Sequence, residues 1–118
     1  MRGMQHLSEE EQEELRAMLS AEKDSLEEEL AEHGKKVGTD WQGTAAGFGA
    51  EEADPIDAAD ALEELVINVP LVEELEKRYK EVIAALKRME EGTYGLTEGG
   101  EPIDIDRLRA NPAAQANI

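Results

Sequence analysis

At 118 residues, with 35% charged and 3% aromatic residues, the chain fits one domain yet is poor in the large side chains that fill a globular core, so an elongated helical shape is expected. A formal net charge of -17 would repel a phosphate backbone, which excludes direct nucleic-acid binding and points to a basic protein surface as partner. There is no cysteine to form a disulfide or thiolate metal site, no apolar run long enough for a membrane span, and no hydrophobic signal core in Met1 to Leu7; together these read as a cytoplasmic protein.

In chain order, Ser8-Glu9-Glu10-Glu11 has the form of a capping box, in which Ser8 accepts from the Glu11 amide and Glu11 reaches back to Ser8. A first helix is expected over 8–33. Leu15, Leu19, Leu26 and Leu30, with Met18 alongside, fall on one stripe, and His33-Gly34 ends the helix with glycine at the left-handed position. A tip loop follows over 34–53, without periodicity, rich in Gly and containing Trp41 and Phe48. Asp54-Pro55 starts a helix running to about Ile67, whose Leu62, Leu65 and Val66 need the cover that Val37, Trp41 and Phe48 can offer. Pro70 predicts a bend or break at Asn68-Val69-Pro70, because it removes a backbone donor and clashes with the carbonyl four residues back. On both sides of it, Leu65, Val69, Val72, Leu75, Tyr79, Val82, Leu86 and Met89 follow one another at steps of four and three as a coiled-coil seam does, until Gly92 ends the second helix at about Glu91.

Two amphipathic helices in so short a chain bury their stripes on each other most simply as an antiparallel hairpin. The expected fold class is therefore all-α, a helical hairpin or coiled coil over 1–91, with a small separate module over 92–118. Matching the stripes sets Leu15 near Leu86 or Met89, Leu19 near Ile83, Leu26 near Leu75 and Leu30 near Val72.

Catalytic patterns are missing. His6 and His33 have no carboxylate or thiol cluster at metal-ligand spacing, so a surface or capping role is the expectation. All three serines lie in or beside the first helix, which leaves no Ser/His/Asp or Cys/His arrangement. Gly92-Thr93-Tyr94-Gly95 lacks the lysine and glycine spacing of a phosphate loop and reads as a turn leaving the helix. The glutamate runs at 9–14 and 27–29 read as a solvated helix face. An enzyme is not expected.

The segment from Leu86 onward carries a resemblance. A helix runs into Gly92-Thr93-Tyr94-Gly95, then a Gly100-Glu101-Pro102-Ile103 strand, then a short helix closed by Asn111-Pro112. This frame resembles the DksA/TraR family of RNA-polymerase-binding proteins, and Asp54-Pro55-Ile56-Asp57-Ala58-Ala59 matches that family's Asp-x-x-Asp-x-Ala tip motif. The likeness covers about Leu62 to Asn111 plus this motif, and leaves out 34–53. Where the family has its first cysteine, Thr97 stands, and 113–118 offers neither thiol nor imidazole, so the module resembles a zinc ribbon that has lost its ligands and binds no cofactor. The resemblance implies a non-enzymatic transcription regulator that inserts an acidic coiled-coil tip, with Asp54, Asp57 and Ala59 as partner-binding residues, into the secondary channel of RNA polymerase. Read without the resemblance, Asp-Pro with an acid three positions on is also an ordinary helix start, with Asp54 as cap. The alternative function is a coiled-coil interaction module for a different basic protein.

In place of zinc, Tyr94, Leu96, Ile103, Ile105 and Leu108 are expected to form a small apolar cluster against Leu86 and Met89. A short helix over 106–110 would end before Pro112, and the residues after Asn111 are expected to fray. A monomer is expected, with a dimer left open.

Overall fold

The computed structural model describes residues 6–38, 40–43 and 55–117. Most of these are helical: α1 (Glu9–His33), α2 (Pro55–Glu91) and the short α3 (Ile105–Ala110). Between α1 and α2 lie two strands, β1 (Gly34–Val37) and β2 (Asp40–Gly43). The chain forms two compact units, one of Met1–Asp24 with Lys80–Ile118 and one of Ser25–Tyr79. The start of α1 thus shares a unit with the end of α2, and the end of α1 with the start of α2, which is the pairing order of an antiparallel helical hairpin.

In the first unit α1 begins with the expected capping box. The Ser8 amide donates to Glu11 Oε1 at 2.9 Å and the Glu11 amide to Ser8 Oγ at 3.0 Å. The bond from the Ser8 amide also holds the Glu11 carboxyl below its ordinary pKa. Leu7, Leu15 and Leu19 are buried in this unit, as are Val82, Ala85 and Met89 of α2. α2 ends as the glycine at 92 foretold: Gly92 has φ +77, its amide donates to the Met89 carbonyl, and the Thr93 amide donates to the Arg88 carbonyl. These two bonds with a left-handed glycine make a Schellman closure.

From that closure the chain turns through 95–103. Thr97 and Glu101 face each other across a tight turn in which Gly100 has φ +82, and the Ile103 amide returns to the Gly95 carbonyl at 2.7 Å. Asp104 caps α3 by accepting from the Asp106 amide. Tyr94, Ile103 and Leu108 are fully buried, whereas Leu96 and Ile105 of the expected cluster are half-buried. The expectation of a frayed tail is corrected. Pro112, Ala113 and Ala114 are buried, Tyr94 Oη donates to the Pro112 carbonyl at 2.6 Å, and Asn117 both accepts from the Asp104 amide and donates to the Pro102 carbonyl. A buried tyrosine needs a partner for its hydroxyl, and the tail supplies it.

The second unit departs most from an all-α reading. Residues 34–43 form an antiparallel hairpin with Val37 opposite Asp40 and Gly34 opposite Gly43. Its two-residue connection places Gly38 at φ +64, the conformation such a turn demands and glycine supplies. Gly34 is not left-handed as expected. Its small size matters instead, because a Cβ there would lie 2.7 Å from the Gln42 carbonyl oxygen and 3.0 Å from Val72 Cγ2. A Cβ on Gly43 would lie 2.5 Å from the Val69 Cα, so the hairpin sits directly on the backbone of α2.

α2 itself runs through Pro70 without a break. Among its described side chains the buried positions are Ala61, Asn68, Val72, Val82, Ala85 and Met89. The expected seam is displaced toward one side: Leu65, Leu75, Tyr79 and Leu86 are half-buried and Val69 is 39% exposed. Asn68 takes the place in the seam expected of Val69, because His33 at the end of α1 presents a polar partner there.

Candidate functional site

The acidic start of α2 is the site that the sequence names. Asp57 lies in the first turn of α2, and Ala59, in its second, is exposed. Asp54 and Phe48 lie outside the described residues. Trp41 is half-buried in β2, where its amide donates to Glu76 Oε2 at 3.1 Å. At 1.5 Å per residue the helix carries Glu76 about 25 Å along its axis from Ala59. Among the described residues, then, Ala59 and Trp41 are not brought together, and the hairpin bearing Trp41 docks near the middle of α2 through Gly43 on Val69 and Gly34 beside Val72.

The histidines are each engaged within their own unit. His6 Nε2 lies 2.9 Å from the Ile103 carbonyl oxygen, and His33 Nδ1 lies 3.2 Å from Asn68 Oδ1. Among the described residues no group of three or more His, Cys, Asp or Glu side chains is placed to hold a metal. No described helix is long and apolar enough to cross a membrane.

A second surface emerges only in three dimensions. Leu62, Val66 and Ile67 are the most exposed large apolar residues described, and together with Glu63 they line a shallow apolar depression on α2. The sequence marks Leu62 and Val66 as residues in need of cover; Ile67 escapes notice there because it is off the seam.

Neither a protein-family model nor a curated protein matches the chain. Among solved structures the chain is similar to the transcription factor DksA2 from Pseudomonas aeruginosa, with a TM-score of 0.68 and 24% sequence identity over 92% of this chain and 78% of that one. At that identity the likeness is one of backbone arrangement. The chain has a DksA-like fold, mostly helical, with a small two-stranded sheet between its long helices.

Proposed function

We propose that this chain is a non-enzymatic regulator of transcription that binds RNA polymerase and places the acidic start of α2, Asp54, Asp57 and Ala59, in the polymerase's secondary channel. The observation that carries the reading is the fold likeness to a solved transcription factor across 92% of the chain. The Asp54-Pro55-Ile56-Asp57-Ala58-Ala59 motif supports it, since it falls where the second long helix begins. Charge supports it too: a chain of net -17 gains little from DNA or RNA and much from a basic protein channel, where complementary fields speed encounter. Carboxylates at the tip would meet basic side chains or bound metal of the partner, and the small Ala59 would permit close approach. In the same reading the protein acts in the cytoplasm as a monomer, without a cofactor, and 92–118 is a metal-free counterpart of a zinc ribbon.

The test is a transcription assay with purified RNA polymerase from the same organism on a promoter whose open complex is short-lived. The parent chain is expected to change the transcript yield, Asp57→Asn to abolish that change while still binding, and Asp54→Asn to control for capping, since asparagine caps almost as well as aspartate. A parent chain that neither binds the polymerase nor alters the transcript would refute the reading and leave a different basic protein as the partner.

A further inference from the structure

α2 is apolar on nearly all sides over one stretch. Residues 65–72, Leu-Val-Ile-Asn-Val-Pro-Leu-Val, carry no charge in a chain that is 35% charged. One side of this stretch is accounted for: Ala61, Asn68 and Val72 are buried, and the β1–β2 hairpin comes down on Val69 and Glu76. At 100° per residue the remaining arc holds Leu62, Val66, Ile67 and Leu71, which are 52%, 72%, 65% and 36% exposed. A helix apolar all round is a helix with partners all round, and contiguous exposed apolar residues mark an interaction site where isolated ones do not.

The frame of this face indicates what covers it. Asp60, Glu63, Glu64, Glu73 and Glu74 border it, all exposed, and no lysine or arginine occurs in α2 before Lys77. Pro70 has no N–H to offer the Val66 carbonyl, so the backbone adds acceptor character at the centre of the face. A second copy of the chain would bring the same acids and the same net charge of -17 against this border. A groove with an apolar floor and a rim of Lys and Arg complements both features.

We propose that Leu62, Val66, Ile67 and Leu71 form a docking face that seats in such a basic-rimmed apolar groove on RNA polymerase. This rests on the reading of the chain as a polymerase-binding regulator, and it assigns the affinity to the apolar face and the effect on transcription to the acidic start of α2. The experiment titrates the full chain against purified RNA polymerase with three proteins: the parent, Val66→Gln/Ile67→Gln, and Asp57→Asn. Glutamine is at least as good a helix former as valine or isoleucine, and both sites are exposed, so the double variant is expected to melt with the parent. Should it melt lower, each single variant is titrated instead. The expected result is binding weakened roughly tenfold or more by the glutamines, restored by Ile67→Leu in place of Ile67→Gln, with Asp57→Asn weakening it far less than the glutamines do. Parent-like binding by the glutamine variants overturns the docking face and leaves the polymerase reading standing. A parent that does not bind polymerase overturns both. Sedimentation showing a dimer that the glutamines dissolve assigns the face to a second copy and also overturns the proposal.

Discussion

His33, the last residue of α1, and Asn68, in the middle turns of α2, share a hydrogen bond in which Nδ1 donates to Oδ1 across 3.2 Å. Asn68 is 5% exposed, so its amide lies in the apolar seam of the second unit and depends on such partners. Asn68→Ala removes an acceptor and opens a small void beside the imidazole. The expected loss is about 1–3 kcal/mol of unfolding free energy, read as a lower urea midpoint, whereas an Asn68→Ala protein as stable as the parent would show that the pair does not hold the seam.

Tyr94 gives a second prediction, with a pH signature. Its ring is fully buried and its hydroxyl donates to the Pro112 carbonyl. Burial pushes its pKa up to about 12, against Arg88, whose positive charge draws it down. The neutral phenol is therefore favoured in the folded state, and this contribution is complete below the unfolded value of about 10. As pH rises from there toward 12 the unfolded chain releases its proton first, so stability falls through that window. Tyr94→Phe is expected to cost about 1–2 kcal/mol at neutral pH, by leaving the Pro112 carbonyl unpaired, and to flatten the decline above pH 10. Urea titrations at pH 8 and 11 on both proteins check it; parallel declines would sink the assignment.

Pro70 lies inside an unbroken α2 and is exposed, so it contributes little packing while depriving the helix of a donor. Pro70→Ala is expected to raise the melting temperature, with a gain below the roughly 3 kcal/mol that proline costs in an ideal helix interior, because the helix has already adapted around the ring. Circular dichroism during a thermal melt is sufficient. A lower melting temperature would mean that Pro70 is used for its fixed backbone and not merely tolerated.

Metal content is a fourth test. The module over 92–118 closes through Tyr94, Ile103 and Leu108 and through the hydrogen bonds of Asn117, so its folding is expected to be indifferent to chelators. Protein purified without chelator should carry far less than one zinc per chain, and its melting curve should not move when a chelator is added. Stoichiometric zinc would contradict this.

What the sequence discloses here follows the reach of each interaction. The capping box at Ser8 and Glu11 and the closure at Gly92 are legible because all their partners lie within a few residues. The long helices are legible because leucine stripes repeat. The β1–β2 hairpin is not, since its strands are four residues each with only Val37 and Trp41 as strand formers among Gly, Lys, Asp and Gln, and its glycines at 34 and 43 answer to the distant surface of α2. Nor is the role of Asn68, whose histidine partner is far away along the chain. Of the candidate site, a six-residue motif points to the start of α2. The apolar face around Val66 and Ile67 becomes recognisable as open only when the hairpin is seen to come down on Val69 and Val72 instead.

The bond from Tyr94 to the Pro112 carbonyl has a consequence for life under oxidative stress. A module held by thiolates is only as durable as the reduced state of its sulfurs, which peroxide converts to sulfenic acids and disulfides. In this chain the end of α2 is joined to the segment folded on it by a phenol, a backbone carbonyl and aliphatic side chains, and the sequence contains no cysteine. None of these groups has a thiol to lose, and the sulfur buried at the end of α2 is the thioether of Met89, which its 5% exposure shields from an oxidant while the unit stays folded.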